Sequence, residues 1–423
     1  MTTLNDLYTL VFLTALAIVA AAVARKNRDI THPVVVFFGP IYLQYLLYFF
    51  LYSDEHRITS ITNVLLLLGA ASFMLGGAFN HILFHIAHMG KIKPNVMNIG
   101  IYKMYRARKP MLYIGVTGFF LGLYYAYDMG TSGPSSFFFN LRYATTIEGA
   151  NLGAAPYLLL FLHMWLIYSI CIAPAIRRLK PYQVGLILML LIISSLFTMA
   201  RTGLFFTAIS AAGAFYLSQR YLYRKTPESF VNIIIFFLTL TGLFILVAVL
   251  TQKAEISDVF DSFLAYLAFP IISFDKFIAP NPGIHNGHNI FYPFWKIGEL
   301  FGLLPTWTRV IPGLTTADFN AFTYLNAPYL DFGKQGVGIV SFVIGATVSF
   351  IYGNARSGKP FYIALYSLLL FPLFMAFYEY QFSLVSWIYY MIILVGSYAL
   401  TPKRPMEIRQ TAPLKRKTTV PSA

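Results

Sequence analysis

Arg201 stands in the run Thr198-Met199-Ala200-Arg201-Thr202-Gly203, between two strongly apolar stretches with almost nothing else charged nearby. A guanidinium placed there must meet carboxylates, carbonyls or an anionic ligand, and its planar fork matches the oxygens of a phosphate or diphosphate. Two further arginines sit in comparable places. Arg142 follows the aromatic run Phe137-Phe138-Phe139 through Asn140 and Leu141, and Arg309 lies two residues beyond Trp307. Each alone reads as well as an interfacial anchor beside aromatic rings. Together the three arginines compose a site for pyrophosphate.

A second group begins at Asp318-Phe319-Asn320-Ala321-Phe322-Thr323-Tyr324 and continues through Tyr329-Leu330-Asp331-Phe332-Gly333-Lys334-Gln335-Gly336. Carboxylates, an amide, an ammonium and aromatic rings are the groups that bind sugars. Tyr324 and Tyr329 offer faces to a pyranose ring, while Asn320 and Lys334 offer hydrogen bonds to its hydroxyls. Asp318 and Asp331 are candidate bases for a hydroxyl; the competing reading is a capped helix entry with turn-forming glycines. His288, with His285 in a turn-rich stretch, is a third candidate base because imidazole titrates near neutral pH. Glu379 ends another apolar run and reads as a partner for an arginine, a group acting on substrate, or a solvated helix end. His81, His85 and His88 share one helical face, for which interfacial packing is the better reading than metal binding. No HExxH, P-loop or GxGxxG pattern is present, and the single cysteine, Cys171, excludes an internal disulfide or a cysteine cluster. No metal and no cofactor is therefore expected.

The elements that position these residues follow from composition. Of 423 residues, 58% are hydrophobic, 17% aromatic and 11% charged, with a mean hydropathy of +0.65. That much apolar surface cannot be hidden in one water-surrounded core, so the solvent is a lipid bilayer. Eleven runs approach the 17 to 25 residues that span it: 5–24, 33–52, 59–84, 111–127, 154–176, 183–199, 203–219, 231–250, 337–353, 361–378 and 382–400. No alternating barrel pattern appears, which predicts an all-α polytopic membrane protein. The organisation expected is 1–250 for eight spans, 251–336 for a large external loop, 337–400 for three more spans and 401–423 for a basic tail.

Charge sets the sidedness. Asp6 precedes the first run while Arg25, Lys26 and Arg28 follow it, the reverse of a cleaved signal. With the N-terminus outside and the C-terminus inside, the inner side carries 23 basic and three acidic residues, a balance of +20. The outer side then carries eight basic and thirteen acidic residues, a balance of −5, and the two make up the formal +15. The basic excess is topology rather than a nucleic-acid footprint. Within the external loop, 262–274 is too short to span and reads as an interfacial or re-entrant helix, and 295–307 as a second amphipathic stretch.

The layout resembles the Wzy-type oligosaccharide repeat-unit polymerases of bacterial O-antigen and related surface glycans. The resemblance rests on the span number, the outer Asn140-Leu141-Arg142-Tyr143, the turn Arg201-Thr202-Gly203 and the late outer loop. Its most specific part is Asn320-Ala321-Phe322-Thr323 followed by Asp331-Phe332-Gly333-Lys334-Gln335-Gly336, similar to the family's Asn-x-x-Thr and Asp-Phe-Gly-x-x-Gly patterns. Arg142 to Gly153 fits an Arg-x10-Gly spacing of some members, which Arg309 does not repeat. The resemblance implies glycosyl transfer at the outer face of the bacterial cytoplasmic membrane. There a glycan on undecaprenyl diphosphate moves en bloc to an incoming lipid-linked repeat unit. Arg142, Arg201 and Arg309 would face the departing diphosphate, and His288, Asp318 or Asp331 the acceptor hydroxyl. A chain-length regulator is an implied partner. An O-antigen ligase and a lipid-linked oligosaccharide flippase are the alternatives.

Overall fold

Apolar runs of this length can satisfy their backbone inside lipid only as helices. The computed structural model describes residues 4–27, 29–87, 94–146, 152–175, 181–197, 201–224, 242, 259–278, 285–306 and 321–401, and no strand occurs among them. In chain order the helices are α1 (Leu4–Asn27), α2 (Pro33–Leu47), α3 (Ser60–Ala87), α4 (Pro94–Thr131), α5 (Phe137–Thr146), α6 (Ala155–Ile172) and α7 (Pro181–Ser195). They continue with α8 (Arg201–Leu217), α9 (Val259–Ile278), α10 (Tyr292–Leu300), α11 (Asn326–Arg356), α12 (Pro360–Phe374) and α13 (Ser386–Leu400). Among the described residues, six helical segments are long and apolar enough to cross a bilayer: Leu4–Asn27, Pro33–Tyr52, Ser60–Asn80, Ala155–Ala175, Asn326–Arg356 and Pro360–Phe377. Tyr182–Ser195 and Ser386–Leu400 are shorter apolar helices. The structure thus supports a polytopic helical protein, with six such segments among the described residues where eleven spans were expected; the expected span 231–250, apart from residue 242, lies outside the described residues.

Two of the expected elements are longer in the structure. The run 111–127 is only the second half of α4, a 38-residue helix with Pro110 inside it. Lys103, Arg106, Arg108 and Lys109 lie on this helix, and two of these cations have partners on other helices. The Lys103 ammonium donates to the Tyr398 carbonyl, and the Arg108 guanidinium lies 5.4 Å from the Tyr105 ring and 5.6 Å from the Trp165 ring. The run 262–274 is the centre of a longer helix, the 20-residue α9, with Asp261 in its first turn and Lys276 in its last, as the helix dipole favours.

Hydrogen bonds between ends of distant helices gather into two rims. At one rim Asp6 of α1 accepts from the Asn63 Nδ2 at 2.8 Å, and the Tyr45 hydroxyl donates to Asn63 Oδ1 at 3.0 Å. There too Asp275 of α9 accepts from the Thr59 N–H at 2.7 Å, the Thr59 hydroxyl at 2.6 Å and the Thr62 hydroxyl at 2.5 Å, pinning α9 to the start of α3. At the opposite rim the buried Asp29 accepts from the Thr31 N–H at 2.8 Å, the Thr31 hydroxyl at 2.7 Å, the Tyr352 hydroxyl at 2.6 Å and the Tyr221 hydroxyl. Arg220 and Arg356 both donate to Asn27 beside it, at 2.8 and 2.9 Å. The Asp6 rim is the one the charge distribution predicts to be external.

Between the rims, α3 packs closely on α11 and α4 on α6. A side chain at Gly76 would place its Cβ 2.1 Å from the Phe342 carbonyl oxygen, and one at Gly345 would place it 2.2 Å from that of Phe73. Such near-contact of backbones is how helices associate where lipid removes the hydrophobic drive between them. The polar group deepest in the bundle, His163 on α6, is satisfied on both sides, by the Tyr390 hydroxyl at 2.7 Å and Ser210 Oγ at 2.8 Å.

Candidate functional site

α11 is two helices joined at Gly333, whose φ of +63° and ψ of −149° only glycine adopts without strain. The kink lets the first turns, 326–332, lean away from the line of the long span behind them. Close packing fixes the lean, since a Cβ on Gly336 would lie 2.3 Å from the Pro328 carbonyl oxygen. Asp331 sits on this short helix at 0% exposure. Its Oδ1 accepts from the Asn289 N–H at 3.1 Å and the Asn289 Nδ2 at 2.8 Å, and its Oδ2 from the Ile290 N–H at 2.7 Å. The His285 N–H donates to the Leu330 carbonyl at 3.0 Å. The carboxylate therefore holds the loop 285–291, with both oxygens engaged and neither open to solvent. That geometry gives Asp331 the holding of this loop.

The loop feeds α10, whose Pro293 stands in the first turn and whose half-buried Lys296 and Glu299 pair at 2.8 Å. His288 packs its ring 4.0 Å from the Trp295 ring at 54°. Between α10 and α13 runs a groove of about 570 Å³, lined by Ile290, Pro293 and Phe294 on one side and by Phe382, Trp387, Met391 and Val395 among others on the other. From Trp387 to Gly396 it follows α13 for about 14 Å, taking 1.5 Å per residue. Ile290, the residue Asp331 holds, is among its lining residues. The sequence shows an apolar stripe on α13 at 387, 391 and 395, which lipid contact alone explains equally well, so the groove was not legible before α10 was placed against it.

The remaining predicted residues divide. Tyr329 is half-buried, with its ring edge-on to Phe274 at 6.0 Å, and Lys334 is exposed just past the kink. Tyr324 lies in the core. It is 1% exposed, lies edge-on to Phe37 at 4.9 Å, receives a 3.4 Å hydrogen bond from Ser341 and stands where any side chain on Gly69 would strike it.

Arg142 lies half-buried on α5, one residue after Leu141. Leu141 shares an apolar cluster with Phe197, four residues before Arg201, so two of the three arginines flank one corner of the Asp6 rim in the backbone. Asn140 builds this corner, donating to the Gly130, Gly133 and Ser135 carbonyls at 3.1, 2.9 and 3.0 Å. Arg201 begins α8; its side chain, together with Arg309, Asp318 and Asn320, lies outside the described residues. Among the described residues no group of three or more His, Cys, Asp or Glu side chains could hold a metal.

Chemically, the rim combines a fixed polar loop with an apolar groove leading from it into the helical layer. No family model, curated protein or solved structure matches this chain.

Proposed function

We propose that the chain is a Wzy-type polymerase, joining oligosaccharide repeat units carried on undecaprenyl diphosphate by en bloc transfer at the outer face of the bacterial cytoplasmic membrane. The observation that carries the reading is the groove between α10 and α13. It is apolar along its length, follows the apolar helix α13 and is lined by Ile290 of the loop fixed by Asp331. A substrate with a hydrocarbon tail and a polar head fits such a site with the tail against α13 and the head at the 285–291 loop. In this reading the Asp6 rim is external, the N-terminus is outside and the C-terminus inside, in keeping with the charge balance.

The bond that breaks joins the anomeric carbon of the growing glycan to the lipid diphosphate, whose departure supplies the driving force without nucleotide or metal. Arg142 and Arg201 flank the corner where that negative charge would develop, and Arg309 is assigned the same task from the sequence alone. Asp331 and the 285–291 loop position His288 beside the substrate head. Tyr329 and Lys334 remain assigned to the glycan, as do Asp318 and Asn320 from the sequence.

The test is a strain lacking the gene, complemented with the intact gene or with Arg201→Ala at equal expression. The expected result is loss of the long-chain glycan ladder with single transferred repeats surviving, restored by the intact gene and not by the variant. Long glycan stranded on lipid diphosphate would instead indicate a ligase, and single units trapped on the inner leaflet a flippase. Full activity of Arg201→Ala would remove the diphosphate role.

A further inference from the structure

Three buried acceptors border one short stretch of the external rim. Gln44, 1% exposed on α2, donates its Nε2 to the Leu267 carbonyl at 3.0 Å and to the Phe377 carbonyl at 2.9 Å. Those bonds fix which way the amide points and leave Oε1 buried with no partner among the described residues. Gln381, 2% exposed, donates Nε2 to Glu379 Oε2 at 3.0 Å, and its Oε1 is likewise buried and unpartnered. Thr323, 1% exposed, has a buried Oγ1 with no partner among the described residues, one residue before Tyr324, whose N–H donates to the Ala376 carbonyl at 2.9 Å. All three adjoin residues 376–381.

A buried acceptor without a donor destabilises by about 1–3 kcal/mol, so three at one place are satisfied only when something brings hydroxyl or N–H donors to them. The stretch is suited to admit such a group, because it is irregular backbone between two short 3₁₀ turns, Met375–Phe377 and Gln381–Ser383. Half-buried Tyr266 and Tyr378, near-parallel at 6.2 Å and 19°, add aromatic faces on the same side. Acceptor oxygens beside aromatic rings select a ligand rich in hydroxyl donors, which is a sugar.

The stretch also lies level with Arg201. Helices α8 and α12 run antiparallel, and a Cβ on Gly213 would meet Leu370 at 2.3 Å and Ser367 at 3.6 Å. Twelve residues back along α8, about 18 Å at 1.5 Å each, is Arg201. A similar rise from Ser367 and Leu370 reaches the neighbourhood of Glu379. The half-buried Glu379 carboxylate, oriented by Gln381, thus stands at the height where the diphosphate is assigned.

We propose that residues 376–381, with Gln44 and Thr323, form the acceptor-sugar subsite, and that Glu379 is the catalytic carboxylate for the attacking hydroxyl. This rests on the polymerase reading. In the step, the acceptor oxygen forms a bond to the anomeric carbon of the donor glycan as the bond from that carbon to the lipid diphosphate oxygen breaks. The hydroxyl proton passes to Glu379, and the electron pair leaves with the diphosphate.

The experiment uses purified full-length protein in liposomes and lipid-linked repeat units extracted from the strain lacking the gene. Wild-type protein is expected to build a ladder and release polyprenyl diphosphate. Glu379→Gln lowers the rate about 100-fold or more, and formate restores part of the rate to Glu379→Ala. Thr323→Val, which deletes an unpartnered hydroxyl, keeps thermal stability and raises the apparent KM for single repeats about 5- to 10-fold. If Glu379→Gln does not fold, the Thr323→Val KM decides. A wild-type ladder with Glu379→Gln above a third of its rate, or with an unchanged KM in Thr323→Val, overturns the subsite while the polymerase reading stands. No wild-type ladder overturns both.

Discussion

Replacing Asp331 with Asn tests whether one carboxylate fixes the 285–291 loop. The amide keeps one acceptor oxygen, enough for Asn289, and turns an N–H₂ toward the Ile290 N–H that now donates to Oδ2 at 2.7 Å. One charge-assisted bond disappears and two donors are left facing each other in a site of 0% exposure. A hydrogen bond to a charged group contributes about 1.5–3 kcal/mol, and a stranded buried donor adds to the loss, so local opening becomes easier by about 2–4 kcal/mol. At 1.4 kcal/mol per decade, amide exchange at Asn289 and Ile290 accelerates about 30- to 700-fold. Exchange across the rest of α11 stays unchanged, because that helix packs on α3 through Gly345 and not through Asp331. The assay is hydrogen–deuterium exchange with mass spectrometry on peptides covering 285–292 and 337–356, in one detergent, for both proteins. Turnover should fall with the protein still folded, since the loop carries His288. Rates at 289 and 290 within threefold of wild type would refute the holding role.

Two other substitutions examine the packing. Tyr324→Phe removes only the hydroxyl that Ser341 donates to at 3.4 Å, so stability should change by less than about 1 kcal/mol and polymerising activity should stay whole; a tenfold loss of activity would return Tyr324 to the substrate. Asp29→Ala strands the Thr31 N–H and the Thr31, Tyr221 and Tyr352 hydroxyls at the opposite rim, an expected loss of about 3–5 kcal/mol. It should appear as a lower thermal midpoint by intrinsic fluorescence, and an unchanged midpoint would refute the hub.

What the sequence made legible was local. Pro33 at the head of an apolar run, and Arg25 and Lys26 at the tail of another, mark where helices begin and end, and α1 and α2 start within a residue of the expected places. The length of α4 was not legible, because one of its ring partners, Trp165, and the carbonyl that receives Lys103, Tyr398, lie far along the chain. Tyr324 looked like a sugar platform because aromatic residues beside Asn and Thr read that way in any loop. Only the approach of Phe37, Gly69 and Ser341 from three other stretches of the chain turns it inward. Asp331 was read either as a base or as the cap of its own helix. Its donors are backbone and amide groups some forty residues earlier, a relation that no local pattern carries. Gln44 and Gln381 did carry a signal, as amides in otherwise apolar runs, which are expensive in a membrane protein unless they have work to do.

The kink at Gly333 explains how a membrane helix can support a polar site at its rim. Past residue 333 the helix is held laterally by backbone-to-backbone contact with α3, an arrangement that fixes its position but offers no polar group to a substrate. Before residue 333 the chain turns through a conformation closed to any side-chain-bearing residue and presents Asp331 to a loop that belongs to neither helix. The loop then leads into α10, which forms one wall of the groove, while α13 forms the other and is tied through Trp387 to the carbonyl of Gln381 at 2.8 Å. One carboxylate and one indole therefore register both walls against the same rim. On the proposed function, a lipid tail seated between α10 and α13 would bring its headgroup to residues held from two sides.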